Sequence, residues 1–175
     1  SRNVTDSGVP VYINYSVMGG TKPYKVVLML NGSVISSKAL NVTRPGTYVV
    51  EAIVTDSLNV SSSAKEILVV NPRPSVYVTP SYQGNLLVSV TSVTLSAKVD
   101  GGTPPYAFYV FMNGKEVYEG PEVQGLKLNV STGTYNVTVE VVDGLGMRAV
   151  YTLTVTSSYN YALIGGLVVA VVLIA

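Results

Sequence analysis

Apolar and polar residues alternate along this chain in short runs, and glycine, proline and asparagine separate the runs. Val11, Ile13, Tyr15 and Val17 share one parity, and so do Val93, Leu95, Ala97 and Val99. A period of two predicts strands with one buried face. Mostly apolar runs follow at Tyr24 to Leu30 and Tyr106 to Met112. Alternating runs then predict strands over Thr47 to Thr55, Ser62 to Val70, Thr134 to Val142 and Arg148 to Thr156. In the third of these, Tyr135, Val137, Val139 and Val141 point inward. Asn31-Gly32 and Asn113-Gly114 sit where tight hairpins are needed, because Asn-Gly accepts the positive φ that such turns require. No run has a helical period until the C-terminus. The pattern predicts an all-β fold of sandwich type.

The pattern occurs twice. Gly19-Gly20-Thr21-Lys22-Pro23-Tyr24 returns as Gly101-Gly102-Thr103-Pro104-Pro105-Tyr106, and Asn31-Gly32 returns as Asn113-Gly114, both displaced by 82 (101 − 19). Gly46-Thr47-Tyr48 and Asp56 return as Gly133-Thr134-Tyr135 and Asp143, displaced by 87 (133 − 46). The second copy therefore holds five extra residues between Asn113 and Gly133. Landmarks repeated in one order indicate duplication. The expected organisation is a first sandwich at 1–71, a Pro-rich linker at 72–75, a second sandwich at 76–157 and an apolar tail at 158–175. Val76 to Val90 opens the second copy, and its counterpart would fall before Ser1. The first sandwich is therefore expected to lack its opening strand.

The tail carries no charge from Tyr161 to Ala175. A run apolar on all sides suits a bilayer, with Tyr159 and Tyr161 at the interface. Fifteen residues of helix cover about 22 Å of a ~30 Å hydrocarbon core, so the span is expected to be truncated. The expectation is a single-pass protein on the extracellular face of the membrane, held by a C-terminal transmembrane helix.

Composition narrows the function. Net charge is +1, from 11 basic and 10 acidic residues, which opposes nucleic-acid binding. The chain has no Cys, no His and no Trp, so disulfides, thiol chemistry and a histidine base or metal ligand are excluded. No phosphate-binding glycine loop is present. Glu116, Glu119 and Glu122 cluster near the second Asn-Gly turn and read as a solvated loop. The chain is expected not to be an enzyme, and no small-molecule substrate is suggested.

Asn-x-Ser/Thr occurs at Asn3, Asn14, Asn31, Asn41, Asn59, Asn129 and Asn136, seven of the eleven asparagines. Ser and Thr make up about a fifth of the chain, so chance would give roughly two. The excess predicts N-glycosylation. Asn14 and Asn136 alternate with inward neighbours and should face solvent. One carboxylate pair stands out: Asp100 and Asp143 end strands whose loops lie at the same end of a sandwich. Oxygen ligands of this kind suit Ca²⁺. The alternative is that each caps its own turn. No other cofactor is expected.

Gly-Gly-Thr-Pro-Pro-Tyr at 101–106, and the Gly-Thr-Tyr-x-Val-x-Val-x-Val-x-Asp run ending at Asp143 before Gly144 and Gly146, resemble immunoglobulin-like domains of the polycystic-kidney-disease (PKD) type. Gly46-Thr47-Tyr48 and Asp56 match more loosely, and the resemblance spans most of Val9 to Val155. The sequence departs from the type at Tyr109 to Gly114, where a Trp and a Phe-Gly-Asp-Gly turn are usual. The whole chain resembles tandem PKD-like domains with an apolar tail at the C-terminal ends of archaeal cell-surface proteins, among them thermopsin-like peptidases and S-layer-associated proteins. The resemblance implies adhesion, spacing or display without catalysis, and together with the Asn-x-Ser/Thr excess and the apolar tail it gives the expectation of a glycosylated, non-catalytic stalk or display region. Two other readings stand beside it. One is a surface-layer, filament or adhesin subunit that accepts a partner's strand on Val9 to Val17. The other is the accessory region of a thermopsin-like peptidase.

Overall fold

The computed structural model describes residues 2–161. The expected tail helix at 158–175 falls mainly outside this range. Among the described residues, no helix is long and apolar enough to cross a membrane. The chain forms two compact units, one of Ser1–Arg73 with Gly101–Thr103, the other of Pro74–Asp100 with the chain from Pro104 onward.

Unit 1 holds β1 (Arg2–Asp6), β2 (Val11–Tyr12), β3 (Lys25–Leu30), β4 (Ser33–Ile35), β5 (Ala39–Leu40), β6 (Gly46–Thr55) and β7 (Ser61–Asn71). Five of these form one sheet in the order β1-β7-β6-β3-β4, and β2 pairs with β5 to form the other. The β1–β7 pair is parallel, whereas β3, β4, β6 and β7 pair antiparallel. Leu40, Leu68 and Val70 form the buried core, with Val11, Ile13 and Tyr48 packed on it. Asp6 is fully buried and accepts a 2.7 Å hydrogen bond from Thr103 Oγ1 inside this unit.

Unit 2 holds β8 (Ser75–Gln83), β9 (Ser92–Asp100), β10 (Ala107–Met112), β11 (Lys115–Gly120), β12 (Leu126–Asn129), β13 (Gly133–Val142) and β14 (Arg148–Ser157). Its sheets are ordered β11-β10-β13-β14 and β12-β9-β8. Val93, Leu95, Val110, Val137, Val139 and Val141 are fully buried between them. The five-residue insertion gives longer β11 and β12 strands than β4 and β5 in unit 1.

Both Asn-Gly turns have the left-handed geometry that the sequence requires, with φ of 48° and 79° at Asn31-Gly32 and 51° and 79° at Asn113-Gly114. Each asparagine also accepts a backbone N–H from the neighbouring long strand, β6 or β13. Asn31 Oδ1 takes Val49 N, and Asn113 Oδ1 takes Asn136 N, both at 2.8 Å. Tyr48 and Tyr135 anchor the loops before their strands through their hydroxyls, on Arg44 O and Ser131 respectively.

Two expectations are corrected. Unit 1 opens with β1, which joins the edge of β7, whereas β8 in unit 2 joins β9. Among the described residues, no strand lies beside β2 where a β8 equivalent would be. The run Val11 to Val17 keeps strand structure only at Val11–Tyr12, because a strand without a neighbour has no ladder to hold it. Finally, Ser158 to Asn160, assigned above to the tail, are tied to the β8–β9 loop. Ser89 N donates to Ser158 O, Asn160 N donates to Leu87 O, and Asn160 Nδ2 donates to Leu86 O.

Candidate functional site

All seven Asn-x-Ser/Thr asparagines are exposed. Turn chemistry places two of them. Asn31 sits at the β3–β4 turn, and Asn59, at φ 62°, sits in the β6–β7 turn. Asn136 stands on β13 opposite Thr154, whose hydroxyl donates to Asn136 Oδ1 at 3.3 Å. A glycan attaches through Nδ2 and retains the carbonyl oxygen. The hydrogen bonds that Asn31 and Asn136 accept are therefore compatible with modification. Asn3, Asn14, Asn41 and Asn129 also face water. Asn71 and Asn160, which lack the motif, are half-buried.

The carboxylates that end the long strands serve the turns after them. Asp143 is 5 % exposed, and its Oδ1 accepts Leu145 N at 3.0 Å and Met147 N at 2.8 Å. Asp56 repeats the motif in unit 1. Its Oδ1 accepts Leu58 N and Val60 N, both at 2.9 Å, and its Oδ2 accepts Thr21 N at 3.1 Å. Hydrogen bonds from the Thr21 and Val60 backbone, and then from Leu58, hold the Asp56 carboxyl below its ordinary value of 3.8; partial burial opposes them. Asp100 is exposed at the end of β9 and pairs in register with Ser75. Among the described residues, no three acidic side chains gather to hold a metal ion. The geometry at Asp143 is that of a turn cap. Glu116 and Glu119 lie on β11, Glu122 lies beyond it, and all three are exposed.

Unit 1 has a cleft of about 370 Å³ between the Tyr15–Gly20 segment and the inner face of β6 and β7. Ala52, Val54, Ser62 and Ala64 form its floor. In unit 2 the matching positions, displaced by 87, are Val139, Val141, Ala149 and Tyr151. There β8 and β9 cover the floor, and Val139 and Val141 are fully buried. Tyr24 closes one end of the cleft and donates its hydroxyl to Gly19 O at 2.7 Å. The sequence pattern does not reveal this opening, because Val11 to Val17 has the alternation of a complete strand.

Unit 1 packs a five-stranded sheet, antiparallel but for β1, against a two-stranded one, and unit 2 a four-stranded antiparallel sheet against a three-stranded one; in unit 2 the chain crosses between sheets from β9 to β10, β11 to β12 and β12 to β13. That is the arrangement of immunoglobulin and fibronectin-III sandwiches. The protein is an all-β pair of immunoglobulin-like domains. No protein-family model and no curated protein matches the chain. Solved structures similar to it include the fibronectin(III)-like modules of Clostridium thermocellum CbhA, at 14% identity and TM-score 0.43, covering 88% of each chain. The four N-terminal Ig domains of a Dscam1 isoform match at 14% and TM-score 0.39, over 89% of this chain and 42% of that one. An I-band fragment of titin matches at 15% and TM-score 0.47, over 90% of this chain and 62% of that one.

Proposed function

We propose that this chain is a glycosylated, non-catalytic stalk or display region of a surface protein, held at the extracellular face of a membrane by its apolar tail. The observation that carries the reading is the exposure of all seven Asn-x-Ser/Thr asparagines on a disulfide-free pair of sandwiches. The resemblance to the C-terminal regions of archaeal surface proteins, including S-layer-associated ones, supports the setting. The test is the intact mass of native protein extracted from its own membranes, before and after N-glycan removal. The reading expects several glycan masses above the polypeptide, which is 18.5 kDa for the 175 residues. A native protein with no mass lost on deglycosylation, or one recovered without membrane, overturns it.

A second reading has its own observation, the open β2 edge above the cleft of unit 1. A subunit that accepts a strand from a neighbouring surface-layer or filament protein would use that edge. The matching strand of unit 2, β8, carries Val76 and Val78 inward, and both are buried. A peptide with the sequence of Ser75–Gln83 is then expected to bind and raise the melting temperature of unit 1. No shift at saturating peptide removes this reading.

A further inference from the structure

At four outward positions of β6 and β7 unit 1 is apolar, with Val49, Ile53, Ile67 and Val69, where the matching positions of unit 2 are polar. Leu28, Leu68 and Val70 point into the sandwich, so the opposite parity of β3, β6 and β7 points out. On that parity Val49 lies opposite Ile67, and Val34 opposite Met29. Val4 extends the face onto β1. Val4, Val34, Val49 and Ile67 are 40%, 70%, 41% and 48% exposed.

Unit 2 is an internal control with the same register. Val49 and Ile67 correspond to Asn136 and Thr154, which hydrogen-bond to one another. Ile53 corresponds to Glu140, which pairs with Arg148 at 2.6 Å. Val69 corresponds to Thr156. Three exchanges run the other way, Ser63 against Val150, Thr55 against Val142 and Lys25 against Ala107, and on β3 Val27 and Met29 correspond to Tyr109 and Phe111. At the position of the Val49 and Ile67 pair, unit 2 meets water with Asn136 and Thr154. A contiguous apolar face of this kind marks an interaction surface.

We propose that this face is a self-association surface that takes the same face of a second copy of the chain. Three observations point to that occupant. First, the central cross-strand pair is Glu51 and Lys65, 3.5 Å apart. In a two-fold arrangement the residues of one copy meet those of the other reciprocally. An axis through this pair sets Glu51 against the second copy's lysine, with no charge left unmatched at the centre; Lys25 lies at the margin. Second, the area suffices. Strands of 5, 11, 10, 6 and 3 residues, at ~3.4 Å rise and ~4.8 Å spacing, present about 570 Å² per copy. Two copies bury about 1,100 Å², above the ~1,000 Å² that a specific interface needs. Third, no Asn-x-Ser/Thr asparagine stands on the face. Asn31 and Asn59 lie in turns at its ends, whereas Asn136 stands in the middle of the unit 2 face.

Sedimentation velocity on the full chain in mild detergent, over a range of concentrations, tests the proposal. The wild-type chain is expected to form a dimer. V49N/I67T, which imports the unit 2 residues, is expected to weaken it at least about tenfold. V34T, at the most exposed position, is expected to weaken it without moving the melting transition. E51K alone and K65E alone are each expected to be monomeric, and an equimolar mixture of the two to associate again. That recovery cannot come from a folding defect. A wild-type chain that stays monomeric to about 0.1 mM overturns the proposal. So does a dimer of unchanged affinity in V34T and V49N/I67T, which assigns association to the tail. Failure of the two folded charge variants to associate when mixed overturns it as well.

Discussion

Replacing Asp143 separates the two roles open to it. Its Oδ1 holds the N–H groups of Leu145 and Met147, so the carboxylate organises the whole β13–β14 turn. Hydrogen bonds to a charged acceptor contribute about 1.5–3 kcal/mol each. The freed amides of an alanine variant regain water in an exposed turn, which offsets part of that loss. Asp143→Ala is therefore expected to cost unit 2 about 3 kcal/mol, the sum of two such bonds less their rehydration. For a domain of this size, 1 kcal/mol moves the melting point by about 4–8 °C, so the expected fall is roughly 15 °C. Asp143→Asn keeps an acceptor oxygen and loses only the charge, and should cost about 1 kcal/mol. Tyrosine fluorescence follows the unfolding, since the chain has no Trp. The same melts with millimolar Ca²⁺ decide the metal question. The turn-cap account expects no Ca²⁺-dependent shift in any of the three proteins. Stabilisation of the wild type by Ca²⁺ that both variants lose refutes it, as does an alanine variant within about 0.5 kcal/mol of wild type.

Other outcomes follow from the same geometry. Val139→Ala, at a fully buried position, should cost unit 2 about 2 kcal/mol by denaturant titration, through lost burial and a residual cavity. Asp56 has a depressed carboxyl, so its contribution to unit 1 is complete above 3.8 and falls away as pH drops through the lower folded value. The stability gap between wild type and Asp56→Asn should therefore narrow on acidification, and a gap independent of pH contradicts the assignment. Gly114→Ala meets nothing within 4 Å but must hold φ near +79°, so a loss of about 1 kcal/mol with unchanged core packing is expected by calorimetry. Asn136→Gln should remove one glycan from the native protein by mass spectrometry and leave the fold intact, since residue 136 points away from the core.

The long strands were legible because one physical rule, burial of alternate residues, governs β6, β7, β9, β13 and β14 alike. The hairpins were legible because Asn-Gly satisfies φ that other pairs resist. Strand β1 was not, because Asn3, Thr5 and Asp6 read as polar surface. Thr5 and Asp6 are in fact buried, with Asp6 stabilised by a tertiary hydrogen bond that no local pattern encodes. Val11 to Val17 was over-read for the opposite reason. Alternation records which residues would face a core, not whether a neighbouring strand completes the ladder. Strands β4, β5, β11 and β12 are short and flank the insertion, where the two copies lose register and neither interprets the other. Among the site residues, the outward direction of Asn136 follows from parity, while the caps at Asp56 and Asp143 needed the turn geometry. The apolar outer face of unit 1 escaped a reading that follows inward positions only.

The two copies distribute their apolar residues differently. At the inner positions of unit 2, unit 1 has Ala52 for the fully buried Val139 and Glu66 for the half-buried Leu153. Each exchange removes apolar area that would otherwise reward closure, at about 25 cal/mol per Å². A strand docked above these residues would bury less apolar area than β8 buries in unit 2. Apolar area has moved instead to the outer face of β6 and β7, at Val49, Ile53 and Ile67, where unit 2 is polar. The outward face of β13 in unit 2 instead carries Thr134, Asn136, Thr138 and Glu140, with Val142 and the exposed Val150 beside them. Unit 1 leaves its interior partly open and presents apolar residues outward. That distribution stabilises unit 1 only when something covers them, and it makes unit 1 the interacting member of the pair.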